Sequence, residues 1–356
     1  MTANKFRLLF FGTDAFSVRV LDYLLQRKLC QTVQVVTKSR SALEEFSSKN
    51  KLKSHEWPDK FAAIDKESFN VGLVASFGNL IDENTVKQFH YGLFNVHPSL
   101  LPMYRGSTPI QAAILDGLRE TGCTIMQIPP IAKFDVGQII LQKRLKIEEG
   151  EYAIDLRNRL ADLGSVLVEK LLLDYEQCMC NSRPQQDGNR SYAKKLKPEQ
   201  GQLNFKSESS QFIDRKIRAY TGFIELFMFC LNGIQVRLDS MVDPKEVERY
   251  DLERLAKNTM FISEHNVERD EEAPEIGGRG FSLEGPASAG RGISHSVPKG
   301  AMYFHKIRRL LCIKCADSKW LAFREATPKL KAKMSAADFY NGYLSKMDVT
   351  KRTTDS

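Results

Sequence analysis

The stretch FNVHPSLLPMYRGSTPIQ, residues 94–111, sets an amide and an imidazole two positions apart at the end of an apolar, strand-like run. Side chains two apart on a strand share a face, so Asn95 and His97 can reach the same substrate atom. A carboxamide N–H and an imidazolium N–H are the donors that the oxyanion of a tetrahedral intermediate needs, and preorganised donors of this kind are worth about 3 kcal/mol each. The chemistry to expect is acyl transfer. A charge partner is offered by KFDVGQIILQ, where Asp135 stands two before Gly137, a residue type that lets backbone approach a ligand closely. A carboxylate beside His97 favours the cationic ring that stabilises an oxyanion. Taken singly, each residue has a plainer reading: His97 as a hydrogen-bonded core histidine, Asn95 as a turn residue, Asp135 as a loop cap. The three together describe a site.

Residues in such a site have to be held by a frame. FRLLFFG reads as a buried strand, and TDAFSVRVLDYLLQRK as a helix with Phe16, Val20, Leu21 and Leu24 on one face. TVQVVT and VGLVASFG are further buried strands, and this alternation predicts βαβ units on a mainly parallel, Rossmann-like sheet. Ligands of open α/β sheets sit at the carboxyl ends of the strands, where Asn95 and His97 fall. The turn after the first strand carries only Gly12, where a dinucleotide fingerprint needs three spaced glycines, so NAD is not expected. After the quoted loop, Thr108 as cap, Pro109 at the first position, Gln111 completing a capping box and Gly117 near the end predict a short helix. Leu156, Leu160, Leu163, Leu167 and Leu171 predict a long amphipathic helix over 155–175.

Around 181–201 the composition turns polar and rich in Pro, Gly and Lys, which reads as the chain leaving a first domain. The expected division is a domain over 1–190, a linker over 191–208 and a second domain over 209–347. Short alternating runs with LNG and CADSKW as hairpin signals predict that the second domain is a small C-terminal β-barrel, OB-like. It closes on a helix capped by Ser335 with Asp338 three residues on. A Gly-rich segment at about 256–296 reads as a disordered insertion.

Over its 356 residues the chain carries 52 Lys plus Arg against 44 Asp plus Glu, a net +8, which favours polyanionic partners. Residues 299–333 concentrate the basic charge, with ten basic against two acidic side chains. No apolar window approaches about 18 residues, so no membrane span is expected. The strand begins within a few residues of Met1, which leaves no room for a transit peptide in the sequence as it stands. Seven scattered cysteines predict free thiols. Neither CMC nor CIKC has a partner pair for zinc, so no metal is expected.

FNVHPSLLPMYRGSTPIQAAILDG and TGCTIMQIPPIAKFDVGQII resemble the formyltetrahydrofolate-dependent formyltransferases, whose motif is Asn-x-His-x-Ser-Leu-Leu-Pro followed by Asp-x-Gly. Within them, the chain is similar to the branch that formylates methionyl-tRNA, through SYAKKLKPEQGQLNF, IRAYTGF and LKAKMSAADFYNGYL. The resemblance covers nearly the whole chain outside 256–296. It implies that Asn95, His97 and Asp135 are catalytic and that 10-formyltetrahydrofolate is the co-substrate. By region it implies a pterin pocket from Phe77, Gly78, Leu80, Ile131 and Ala132, and by loop motif Ser99, Leu100 and Pro102. It implies that initiator methionyl-tRNA is the partner, gripped by Lys38, Arg40, Arg105, Lys306, Arg308 and Arg309, with Lys49, Lys51, Lys53, Lys314 and Lys319 as further basic candidates. It also implies a mitochondrial, monomeric enzyme. Rivals share the triplet: transfer to a sugar-nucleotide or glycinamide amine, hydrolysis of formylfolate, or an RNA-binding protein without the chemistry.

Overall fold

The computed structural model describes residues 5–59, 61, 64–65, 68–131, 133–230, 233–257 and 297–345. The expected insertion therefore lies, from residue 258 onward, outside the described residues. The chain divides into two compact units, Met1–Gln200 with Arg215–Ile224, and Gly201–Asp214 with Glu225–Ser356.

In the first unit Arg7–Gly12 forms strand β1, whose Leu8, Leu9, Phe10 and Phe11 are each at most 1% exposed. A run apolar at every position suits a strand covered on both faces. Helix α1 (Ala15–Arg27) starts on Asp14, whose Oδ1 accepts from the N–H groups of Phe16 (3.0 Å) and Ser17 (3.2 Å). It buries Phe16, Val20, Leu21 and Leu24, the expected face. There follow β2 (Thr32–Thr37), α2 (Ala42–Lys49), β3 (Ser54–Glu56), β4 (Val71–Ala75), α3 (Glu83–Lys87), β5 (Leu93–His97), β6 (Arg105–Gly106), α4 (Pro109–Leu115), β7 (Glu120–Gln127), β8 (Ile139–Lys146), α5 (Ala153–Leu173), α6 (Tyr175–Cys180) and β9 (Tyr192–Ala193).

The main sheet runs β3-β2-β1-β4-β5-β7-β8. Its pairings from β3 through β5 are parallel, and β7 and β8 extend it antiparallel. This is the expected mainly parallel, Rossmann-like sheet. Helix α5 buries Leu156, Leu160, Leu167 and Leu171 against it. A Cβ on Gly164 of α5 would stand 2.6 Å from Val96 Cγ1 and 3.2 Å from Cys123 Sγ, so glycine lets the helix press onto β5 and β7. That close packing fixes the strand that ends in Asn95 and His97.

The capping box expected at α4 does not form. Thr108 occupies the cap position, but its hydroxyl donates to the Lys194 carbonyl at 2.7 Å and makes no capping bond. Pro109 alone supplies the start signal, by its fixed φ.

After α7 (Ser210–Tyr220), the second unit comprises β10 (Phe227–Phe229), β11 (Gln235–Met241), α8 (Pro244–Val247), α9 (Leu252–Lys257), β12 (Met302–His305), β13 (Leu310–Lys314), β14 (Trp320–Pro328), β15 (Met334–Ser335) and α10 (Ala336–Phe339). Its antiparallel sheet runs β10-β11-β14-β13-β12, with β15 on β14. Val242, Val247, Leu252, Leu310 and Trp320 pack in its core. The CADSKW hairpin closes through Cys315 N–H to Lys319 O at 2.7 Å, and Ser335 Oγ caps α10 by accepting from Asp338 N–H at 3.1 Å. No helix among the described residues is long and apolar enough to cross a membrane.

All seven cysteines are free thiols. Burial pushes Cys123, Cys312 and Cys315 up to about 12. At pH 8 such a thiol is ionised in about one molecule in ten thousand, and the thiolate is the reactive form. Alkylation at pH 8 is expected to spare these three in native protein and to label them on unfolding, read by mass spectrometry of the peptides. The linkage has a definite sign. Between pH 9 and 12 the unfolded chain ionises these thiols while the fold keeps them neutral, so their contribution to stability falls as pH rises through that window.

Candidate active site

Strand β5 lies between β4 and β7, with Val74 opposite Asn95 and Thr124 opposite His97. Strand alternation puts Asn95 and His97 on one face, Asn95 half-buried and His97 3% exposed. Asp135 enters from the segment between β7 and β8, buried, with its backbone in the left-handed region at φ 55°. Its Oδ1 accepts from Asn95 Nδ2 at 3.2 Å and stands 3.6 Å from His97 Nδ1. Its Oδ2 accepts from Gly106 N–H at 2.8 Å. The structure brings the three predicted residues together around one carboxylate oxygen.

The His97 ring meets two partners, one at each nitrogen. At 3.6 Å the Asp135–His97 approach is an ion-pair distance rather than a hydrogen bond. The ring is oriented by the Tyr104 carbonyl, 3.0 Å from Nε2. A carbonyl only accepts, so Nε2 carries a hydrogen, and Nδ1 is the nitrogen that faces Asp135. Asn95 spends one amide hydrogen on Asp135 and keeps the second. The corner therefore sets the second Asn95 amide hydrogen and His97 Nδ1 beside one carboxylate.

Residues that the composition assigned to a linker build the wall behind this corner. Strand β9 pairs with β6, the Arg105 and Ser107 N–H groups each donating at 2.9 Å, to the Ser191 and Ala193 carbonyls respectively. Ser191 Oγ accepts from Tyr104 N–H at 2.9 Å. Gln185 Nε2 donates to the carbonyls of Asp135 (3.0 Å) and Gly137 (2.8 Å), and its Oε1 accepts from Arg105 Nε (3.0 Å) and Nη2 (2.7 Å). Tyr104, Gln185 and Ser191 were not foreseen as site residues, and Gly106 was expected only as part of the loop motif, shaping its backbone. Only the positive-φ potential of Gly106 had a local signal.

The remaining predicted residues are placed unevenly. Leu80 and Ile131 are 40% and 50% exposed, as a ligand wall requires, and Gly78 is exposed. Leu100 and Pro102 are half-buried, and Ala132 lies outside the described residues. Phe77 is turned into the core, its ring 5.5 Å from Phe11 and 5.3 Å from Trp57, which removes it from a solvent-facing pocket. Ser99 is fully buried and its hydroxyl donates to the Met103 carbonyl at 2.6 Å, so it shapes the loop and does not reach a ligand. Ser99→Ala is accordingly expected to cost about 1 kcal/mol of stability and to leave folate affinity within about twofold, by thermal denaturation and calorimetry.

Arg105, expected at the RNA surface, is 5% exposed and bonded to Gln185. Lys38, Arg40, Lys306, Arg308 and Arg309 are exposed. Lys314 is buried, held by Glu253 at 2.8 Å and the Val297 carbonyl at 2.9 Å, and is out of reach of a partner. In the second unit Arg249, Arg254, Arg308 and Arg324, with Glu246 and Asp251 among them, line an open cleft of about 750 Å³, and the Arg308 guanidinium lies 4.1 Å from the Tyr250 ring centre. The arginines at 249, 254 and 324 were not predicted. Among the described residues no group of three His, Cys, Asp or Glu side chains is disposed to hold a metal ion.

Residues 6–171 match the formyl transferase family. The human mitochondrial methionyl-tRNA formyltransferase is 29% identical over 350 residues, 95% of this chain and 78% of that protein. The methionyl-tRNA formyltransferase of Bdellovibrio bacteriovorus is 32% identical over 253 residues, 66% of this chain and 78% of that protein. Among solved structures, HypX from Aquifex aeolicus in complex with tetrahydrofolic acid superposes with a TM-score of 0.58 at 15% identity over 95% of this chain. The chain spans about half the length of that structure, 47%.

Proposed function

The chain belongs to the methionyl-tRNA formyltransferase family, and from that premise we propose that it transfers the formyl group of 10-formyltetrahydrofolate to the α-amine of methionyl-tRNA, producing formylmethionyl-tRNA for translation initiation. The observation that carries the mechanism is the corner of Asn95 Nδ2, His97 Nδ1 and Asp135 Oδ1, with the 3.2 and 3.6 Å separations given above. When the amine adds to the formyl carbon, the carbonyl oxygen gains charge. Asn95 through its second amide hydrogen and His97 through Nδ1–H hold that oxyanion. Asp135, whose Oδ1 faces Nδ1, accepts the proton that the amine sheds, directly or through one water. Collapse of the intermediate breaks the bond from the formyl carbon to the folate nitrogen, which takes up a proton.

The residues suit a folate. Leu80, ahead of β5, and Ile131, ahead of Asp135, present apolar surface, a wall for a flat heteroaromatic ring. We assign catalysis to the first unit, in which Ser191 and β9 belong to the site wall, and RNA grip to the second. Lys38 and Arg40 in the first unit, and Lys306, Arg308 and Arg309 with the arginine-lined cleft in the second, supply the charge for an RNA backbone. Likeness to a mitochondrial enzyme supports mitochondria as the working compartment, and we propose the matrix as the site of action and a monomer as the working form.

Purified protein incubated with 10-formyltetrahydrofolate and methionyl-tRNA, with free methionine and no-acceptor controls, tests the reading by mass analysis of the aminoacyl group. Formylmethionine on tRNA alone is the expected result. Formate released without acceptor means a hydrolase, and RNA binding with neither product means a binding module; either overturns it.

A further inference from the structure

We infer that Gln185 is a positioning residue for Asp135, tying the backbone of the carboxylate-bearing segment to the buried guanidinium of Arg105; the inference rests on the reading that Asp135 works in formyl transfer. Asp135 is a non-glycine residue at φ 55°, a conformation that persists only where surrounding bonds impose it. Gln185 Nε2 donates to the Asp135 carbonyl at 3.0 Å and to the Gly137 carbonyl at 2.8 Å, one bond on each side of the turn. Its other end, Oε1, accepts twice from Arg105, at 3.0 and 2.7 Å. Every donor of the amide and both its lone pairs are used, which fixes the amide orientation, since the reverse would set N–H against guanidinium and oxygen against carbonyl.

Arg105 is itself held. It is 5% exposed, its N–H donates to the Ser191 carbonyl at 2.9 Å, and the next residue, Gly106, gives its N–H to Asp135 Oδ2 at 2.8 Å. A closed ring results. Gln185 links the backbone that carries the carboxylate to the segment that grips the carboxylate, and touches no reacting atom. Glutamate at 185 keeps the Arg105 contact and turns oxygen against two carbonyls; asparagine falls one methylene short. Only glutamine has the length, the two donors and the acceptor together.

The test compares wild type with Gln185→Met and Gln185→Glu in the full chain. With both substrates saturating, kcat is expected to fall about 10- to 100-fold in each, as for a site misplaced by an ångström, with KM for folate and for tRNA within about twofold. A residue that merely supports the fold moves the melting temperature and KM instead. In a cycle with Arg105→Met, the double variant is expected to be no slower than Gln185→Met, because Arg105 acts on Asp135 through Gln185. Unchanged kcat in a folded variant, or additive losses in the cycle, overturns the inference. Gln185→Glu keeps the buried guanidinium paired, so its kcat decides the question if Gln185→Met does not fold. If wild type transfers no formyl group, the functional reading falls. Hydrogen exchange at Gly106 N–H then still decides this one: protection is lost in Gln185→Glu if Gln185 holds Asp135 in place, and kept if it does not.

Discussion

Asp135→Asn is expected to slow formyl transfer by about 10²- to 10⁴-fold, the range for removal of a proton-transfer group, while tRNA affinity stays within about twofold. The substitution isolates charge from shape. Asparagine tolerates the left-handed backbone better than other non-glycine residues, so φ 55° is kept. Its side chain, however, has one oxygen where aspartate has two. If that oxygen takes the Gly106 N–H, the new NH₂ faces Asn95 Nδ2, setting donor against donor beside the oxyanion site. If it turns the other way, the NH₂ faces the Gly106 N–H instead. Either way the corner loses its negative charge, its proton acceptor and one hydrogen bond. Single-turnover rates at saturating formylfolate, with tRNA binding measured separately, give the result. A folded Asp135→Asn protein with wild-type turnover would remove Asp135 from the mechanism.

Part of this arrangement was open to sequence reasoning because local patterns carry it. A strand covered on both faces has to be apolar at every position, so FRLLFFG announced itself, and the periodicity of Phe16, Val20, Leu21 and Leu24 announced the helix laid on it. Asn95 and His97 were legible for the same reason, since a period of two is all that is needed to put them on one face. Asp135 was legible only as a residue type with a glycine behind it. What brings it back to β5 is Gly106 N–H and Gln185, 29 and 50 residues away in the chain.

Backbone donors and acceptors leave no mark in a sequence. The Tyr104 carbonyl sets the tautomer of His97 whatever side chain residue 104 carries. The 183–194 segment misled for a different reason. Polar side chains read as solvent-facing, but here Gln185 and Ser191 turn theirs into the site wall. The cap expected at Thr108 failed in the same way, its hydroxyl diverted to a carbonyl 86 residues on. Ser99 and Phe77 sit on the loops that a ligand should meet, but which side of a loop faces inward is decided by tertiary packing, not by spacing.

Gly106→Ala carries the second large effect, because this glycine meets three demands at once. Its φ is 117°, a conformation that an L side chain rarely adopts. A Cβ there would stand 2.5 Å from the Ala193 carbonyl oxygen, a backbone atom with no rotamer to change. That carbonyl is also the acceptor for Ser107 N–H, so relieving the clash parts β6 from β9. Strain of about 1–3 kcal/mol for the backbone and a similar cost for the overpacking give a loss of about 3 kcal/mol or more. The chemical consequence follows from the same movement. Gly106 N–H is the group that orients Asp135 Oδ2, and a shift of about 1 Å there turns Oδ1 away from Asn95 and His97, enough for about a 10²-fold loss in turnover. The effect on rate should therefore persist at temperatures well below the lowered melting point, where the protein is folded. Rates measured at about 10 °C beside thermal denaturation separate the two effects. If activity recovers fully once the protein is kept cold, Gly106 serves stability alone, and the carboxylate is oriented by Asn95 and the Gln185-held backbone without it.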